Sequence, residues 1–535
     1  MILLMNKSRA WKDPRTSDGD DDNGRFSKDY NDITNMTWSN ILTYQTKIKK
    51  KHNLDLLVGY EINSKESDGL GTTISNFARW DKPEVNNGVV YQSMGGSNST
   101  TRIVSYITRA NYDYDNKYYL GASWRTDGSS RLARENRWGN FWSLSGAWRV
   151  SSESFMKPLQ NWLSDLKLRV SYGVNGTLPS SYYGYMGLSS LTSNYNDNPG
   201  ITQSQLENKE LTWETNYNFN SGIDLGFFDN RLNVTFEYYV RTTKNLLYSR
   251  PLSLATGFSS YLANIGKLQN KGYELEIRST NIETKDFRWS TSLNLGHNAN
   301  KILKLDGDLK QVTSGTSIHK VGLPYSTYYM IEFAGIDPVD GEPMFYKNTT
   351  DENGNLNKET TKDPRSAEKV ILQCADPTIT GGLGNSISYK WFDLNFNVNF
   401  SFGAWNYDGA AGKLEHGGDG TLNIPIYYRK RWQKEGDETS IERFVVGRSI
   451  SMTDYATTRR LYSGDYVRLK NLTFGFTLPK TWTRKVGIDN IRLYASGNNL
   501  LTWAAYDYID PESGSSPSWD TPPMRTYTFG LEVKF

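Results

Sequence analysis

Trp391-Phe392-Asp393-Leu394-Asn395-Phe396-Asn397-Val398-Asn399-Phe400-Ser401-Phe402-Gly403 alternates strictly between two kinds of residue. Phe392, Leu394, Phe396, Val398, Phe400 and Phe402 form one set; Asp393, Asn395, Asn397, Asn399 and Ser401 form the other. Only a β-strand sends successive side chains to opposite sides and so separates these sets completely. One face of this strand wants lipid or core, and the other wants water.

The same design recurs along the chain. Leu166, Leu168, Val170 and Tyr172 alternate with Lys167, Arg169, Ser171 and Gly173. Leu232, Val234, Phe236 and Tyr238 alternate with Asn233, Thr235, Glu237 and Tyr239, and the stretch Phe287–Leu295 repeats the pattern. The charges keep to one face, as they must if the other meets lipid, where a Lys or Arg at the midplane costs about 2–4 kcal/mol. Each unit runs about 10–13 residues, close to the ~9–11 needed by a tilted strand that crosses a bilayer. Strands of soluble proteins are nearer ~5–6 residues.

Composition agrees. Among 535 residues there are 35 Tyr, 16 Trp, 21 Phe and 46 Gly. Mean hydropathy is −0.64, which looks hydrophilic. A membrane barrel has this mixture, because an apolar outside alternates residue by residue with a wet lumen. No apolar run approaches the ~18 residues of a membrane helix, but a closed barrel needs none. Sixty-one basic and 58 acidic residues nearly balance, which argues against nucleic acid as a partner. A single cysteine, Cys374, rules out a disulfide framework or a cysteine-based zinc site. The four histidines, His52, His297, His319 and His416, are scattered and read as surface or loop residues.

The pattern predicts about 15 strands: 36–48, 52–63, 101–112, 115–125, 140–149, 164–174, 211–227, 230–243, 269–279, 286–298, 379–389, 391–402, 466–477, 490–502 and 524–535. Tight connections near Lys49–Lys51, Tyr112–Asp115, Phe228–Arg231 and Lys390–Trp391 alternate with long polar ones near 67–100, 175–209, 299–378 and 403–465. Short turns are periplasmic and long loops extracellular in such barrels, so the pattern also orients the chain. Counting back from a last strand that ends in the periplasm, the first visible strand descends, which makes residues 1–35 part of an extracellular loop. Single-chain bacterial barrels have even strand numbers. The odd count, together with an apolar start too short for a secretory signal, predicts a fragment whose plug and signal peptide lie elsewhere. Residues 1–535 are expected to form a single β-barrel domain.

Catalytic patterns are missing: there is no G-x-S-x-G, H-E-x-x-H or P-loop. We expect no enzyme, no cofactor and no metal site. Asp18–Gly24 has carboxylates at calcium-like spacing, but the sixth and twelfth positions hold Asn23 and Asp29, so it reads as a solvated acidic loop. Aromatic residues crowd the long loops, and sugars stack on aromatic faces. Tyr325, Trp405, Tyr407 and Trp519 are therefore the candidate ligand contacts, set against loop packing, contact with a lid or an interfacial girdle.

Several phrases resemble the SusC/RagA-like family of TonB-dependent transporters of the Bacteroidetes. They are Asp127-Gly128-Ser129-Ser130-Arg131, Asn136-Arg137-Trp138-Gly139, Ala147-Trp148-Arg149-Val150, Asp376-Pro377 with Gly381-Gly382, and Gly464-Asp465-Tyr466-Val467-Arg468-Leu469-Lys470-Asn471-Leu472. Gly497-Asn498-Asn499-Leu500-Leu501-Thr502, Asp510-Pro511-Glu512 and Arg525–Gly530 complete the ordered set. The terminal strand, with Tyr527, Phe529 and the final Phe535, resembles the signal read by the outer-membrane assembly machinery. The resemblance implies an all-β transmembrane antiparallel barrel of about 22 strands, of which the predicted strands are the last 15. It implies location in the outer membrane and import of a glycan or peptide. The implied partners are a SusD-like surface lipoprotein as lid and TonB–ExbB–ExbD, engaged through an N-terminal part that this sequence lacks. Two other readings stay open: a passive porin-like or structural barrel, and a soluble all-β glycan-binding protein.

Overall fold

The computed structural model describes residues 1–535 apart from 197, 306, 308, 419–422, 448–454, 507 and 514–522. Its centre is one sheet of 16 strands whose spatial order is their chain order. These are β1 (Ile2–Lys12), β2 (Arg25–Ile48), β3 (His52–Phe77), β4 (Gly88–Tyr114), β5 (Tyr118–Ser129), β6 (Trp138–Arg149), β7 (Leu163–Thr177) and β8 (Glu214–Phe227). There follow β9 (Leu232–Lys244), β10 (Lys267–Glu283), β11 (Phe287–Lys304), β12 (Ile379–Tyr389), β13 (Phe392–Phe402), β14 (Tyr466–Thr477), β15 (Asn490–Ala504) and β16 (Thr526–Lys534). Small sheets of two to four strands decorate the long loops.

All fifteen expected strands are present, and β1 is an addition. Residues 1–35, expected as part of an extracellular loop, hold a hairpin in which Ile2–Lys12 pairs antiparallel with Arg25–Asn35. Ile2-Leu3-Leu4-Met5 shows no alternation because both faces of β1 are exposed, so no face had to be apolar. It covers only the Arg25–Asn35 half of β2, while β3 pairs with β2 along its whole length. β2, β3 and β4 have 24, 26 and 27 residues, more than twice the ~10 that cross a bilayer. β5 reaches β4 only from Ile103 onward, so Gly88–Arg102 runs on as an arm with β3.

The tight turns use left-handed backbone. Lys49 and Lys50 have φ of 49° and 59°, Asp115 and Asn116 have 56° and 54°, and Lys390 has 51°. Positive φ at the first central residues matches the turn twist to the right-handed twist of the flanking strands.

The chain divides into two compact units. One comprises Met1–Trp148, Val170–Phe219 and Thr242–Gly266; the other comprises Arg149–Arg169, Asn220–Arg241 and Lys267–Phe535. In the first, Leu132, Phe141, Leu211 and Trp213 are buried together on the polar side of the sheet. In the second, one cluster gathers Val150, Met156 and Leu163, and another Tyr328, Met330 and Leu461.

Candidate functional site

The outward face is clearest in the first unit. The register sets Tyr118 opposite Trp148, Ala122 opposite Leu144, and Gly128 opposite Trp138. The residues of β5 and β6 on this face carry no charge. Rings line up at both ends of it. Trp38, Tyr60, Tyr106 and Trp138 form one band, with neighbouring centroids 6.2, 5.2 and 6.2 Å apart. Tyr114, Tyr118 and Trp148 form the other, at 6.4 and 6.3 Å. Ten residues separate Trp138 from Trp148, about 33 Å along a strand and about 25 Å along the normal at the usual tilt, the height of an outer-membrane apolar band.

The opposite face is polar. In the second unit it carries a cleft of ≈ 1140 Å³ lined by Glu237, Glu274, Glu276, Arg278, Asn294 and Asn399, among others. Beside it lies a smaller one of ≈ 330 Å³, lined largely by Asn and Ser side chains, including Asn395 and Asn397 of the opening stretch. The charges are tied down: Arg169 forks onto Asp224 at 2.8 and 2.9 Å and reaches Glu237 at 2.6 Å. Arg278 meets Glu276 at 2.5 Å, and Arg492 meets Asp393 at 2.8 Å. Such a wall offers amide, hydroxyl and carboxylate partners to a hydrated solute and is more polar than apolar. Among the described residues no cluster of His, Cys, Asp and Glu could hold a metal ion.

The loops of the second unit enclose a buried ionic knot. Glu442, fully buried, takes Arg459 and, at 3.0 Å, the Tyr428 hydroxyl. Glu415 takes Arg460 at 3.3 Å and the Tyr427 hydroxyl at 2.5 Å. Burial pushes the phenols of Tyr427 and Tyr428 above their ordinary range, and the neighbouring carboxylates add to this. Nothing periodic announces this knot, because its members sit in loops and single helical turns and Glu415 is 45 residues from Arg460. His416 and His319, expected as surface or loop residues, are both buried, His416 within a loop.

Of the anticipated ligand contacts, Trp405 and Tyr407 share one cluster. Tyr325 stacks on His319 with centroids 4.1 Å apart. Trp405 and Tyr407 pack on the cluster around Tyr328, whose hydroxyl donates to the Trp405 carbonyl and accepts from the Tyr407 amide, each at 3.2 Å. Trp519 lies outside the described residues. Tyr527, Phe529 and Phe535 project from one exposed side of β16 and its end. The motif residues act as clamps. Arg131 donates to the Pro179 carbonyl at 2.9 Å and lies over the Tyr182 ring at 4.4 Å. Gly139 leaves room for the Phe141 ring, which a Cβ would meet at 2.5 Å.

The apolar face bounded by two aromatic bands in the first unit and the polar wall in the second are the features of an integral β-barrel of the outer membrane. The chain belongs to the family described as "TonB dependent receptor-like, beta-barrel", whose model matches residues 6–500. It is 33% identical to TonB-dependent receptor P3 of Formosa agariphila over 96% of this chain and 53% of that protein. It is 30% identical to the TonB-dependent receptor SusC of Bacteroides thetaiotaomicron over 81% of this chain and 44% of SusC. Among solved structures, the RagAB peptide transporter superposes with a TM-score of 0.86 at 28% identity, covering 100% of this chain and 59% of that one. The SusC/RagA-like assignment, the all-β barrel fold and the outer-membrane location follow. The family is one of transporters, not enzymes. The chain spans about half the length of the curated relatives it matches.

Proposed function

We propose that this chain forms barrel wall of a SusC-like importer that takes up a hydrated nutrient, an oligosaccharide or a peptide, with energy from TonB. The observation that carries this reading is the polar wall around the larger cleft, whose amides, hydroxyls and paired carboxylates suit a solute that must slide rather than stick. The RagAB relative is described as a peptide transporter, which favours a peptide as the first cargo to try. A SusD-like lipoprotein would close the long-loop end, and a plug would occupy the polar side.

The test is uptake in the native host. Deleting the reading frame should abolish uptake of one class among fluorescent oligosaccharides and peptides, and a protonophore should do the same. A surface lipoprotein should co-purify with the protein under mild extraction. Uptake that survives the protonophore would mean passive diffusion and overturn the energised reading.

A further inference from the structure

The short-turn end of the second unit is one continuous edge. The Lys390 amide donates to the Asp286 carbonyl at 2.7 Å, joining the turn between β10 and β11 to that between β12 and β13. The Thr477 amide donates to the Trp391 carbonyl at 2.8 Å, joining this in turn to the connection between β14 and β15. That connection carries a short helix, Lys480–Thr483, continued by the turn Arg484–Val486.

Two features mark this edge. Its tryptophans point outward: Trp391 is 46% exposed and Trp482 is 59% exposed. Its charge is one-sided. Arg288 pairs with Glu283 at 3.9 Å, and Lys480 with Asp489 at 3.3 Å. Lys285, Lys390, Arg484 and Lys485 are exposed and have no carboxylate in ion-pair range among the described residues. Only Asp286 is left to set against them along these turns. Indole rings settle at the headgroup level of a bilayer, and lysine and arginine stems reach from there to phosphate.

We infer that this edge is a docking surface for anionic phospholipid headgroups, with Trp391 and Trp482 seated in the leaflet and Lys390, Arg484 and Lys485 on the phosphates. The charge selects the lipid, because a zwitterionic headgroup offers no net attraction to the unpaired cations, whereas an anionic one does, by about fivefold per residue near the surface. The inference rests on reading the short-turn end as a membrane interface. Its readout is lipid binding, so a failed uptake assay would leave it intact.

The experiment uses the full chain extracted from outer membranes in mild detergent, delipidated, and titrated with phosphatidylglycerol or phosphatidylcholine. Bound lipid is counted by native mass spectrometry. The wild type should retain phosphatidylglycerol at a concentration roughly a hundredfold lower than phosphatidylcholine, and salt should shrink the gap. Lys390→Asn with Arg484→Ser and Lys485→Ser should erase the preference; asparagine is chosen because position 390 is left-handed. Lys320→Ser with Lys430→Ser and Lys434→Ser, all in long loops, should keep it. If the triple variant lacks the heat-modifiable migration of a folded barrel, Arg484→Ser with Lys485→Ser, both in exposed chain, replaces it. Equal retention of the two lipids by the wild type, or an undiminished preference in the folded variant, would overturn the inference.

Discussion

The guanidinium of Arg468 on β14 donates to the Asp510 carboxylate at 2.6 Å, and the same group reaches Glu512 at 2.7 Å. Its Nε donates to the Thr502 hydroxyl at 3.0 Å, so one side chain ties β14 and β15 to the Asp510-Pro511-Glu512 segment that follows them. Arg468 is 2% exposed. Two motif phrases far apart in sequence are thus the two halves of one clamp.

Arg468→Met should leave Asp510 with no cation and should release the segment around it. Breaking a buried pair from one side costs about 3–5 kcal/mol. Glu512 keeps Lys470 at 2.6 Å, which sets the lower end of that range as the expectation. Limited proteolysis should cut near 505–513 in the variant and spare the wild type. Arg468→Lys should be intermediate, because an ammonium cannot fork onto two carboxylates in the guanidinium's geometry.

Gly530 on β16 faces Tyr494 on β15 in register. A Cβ at Gly530 would stand 2.5 Å from the Tyr494 hydroxyl oxygen and closer still to the ring. The ring covers the glycine as aromatic residues do across strand pairs. Gly530→Val should displace the ring and cost about 1–3 kcal/mol through overpacking. Urea titration of the heat-modifiable band should show it, and Gly530→Val with Tyr494→Ala should recover part of the loss.

The strands that cross the membrane were legible because lipid on one side and water on the other impose alternation, as in Phe392–Phe402. Where both faces meet water the constraint vanishes. That is why Ile2–Met5 of β1 escaped, whereas the extensions of β2 and β3 bury Phe26, Ile74 and Phe77 against Trp11 through contacts that no local pattern announces. The aromatic loop residues were visible, but their partners were not. Nothing near Tyr328 in sequence says that it would bridge Trp405 and Tyr407, 77 and 79 residues away. The ionic knot was illegible for the same reason: whether Glu442 is a surface charge or a buried one depends on chain brought from elsewhere.

Leu144 stands in the apolar band between Trp138 and Trp148, and Ser145 looks to the polar side. Leu144→Arg should therefore lower folding stability in lipid by about 2–4 kcal/mol, while Ser145→Arg should change it little. Folding into liposomes, followed by electrophoretic mobility across a urea series, separates the two. Equal tolerance of both variants would contradict the assignment of the lipid face.

Tyr427, Tyr428, Tyr462 and Tyr506 give the outer loops of the second unit a defined alkaline limit. Burial raises all four phenols, and neighbouring acids reinforce it: Glu415 beside Tyr427, Glu442 beside Tyr428, and Asp408 at 3.1 Å from the Tyr506 hydroxyl. Tyr462 and Tyr506 also stack at 3.7 Å. A phenol whose folded value lies above its unfolded value of 10.0 keeps its proton in the folded loop after the unfolded chain has lost it. The stability it contributes is therefore fully present below pH 10 and falls as pH rises from there toward the folded value. Ultraviolet titration should show these four phenols ionising only above the ordinary tyrosine range, lagging until the loops open. Protease resistance of the loops should be level from pH 7 to about 9.5 and drop above about 10.5. Tyr428→Phe removes one titrating hydroxyl but strands one oxygen of the buried Glu442, so it should soften the alkaline drop while costing about 1–3 kcal/mol at neutral pH. Tyr506→Phe leaves Asp408 its bond from the Ala411 amide at 2.8 Å, so it should soften the drop at smaller neutral cost. Alkaline loosening that is unchanged in both variants would mean that these phenols do not set the limit.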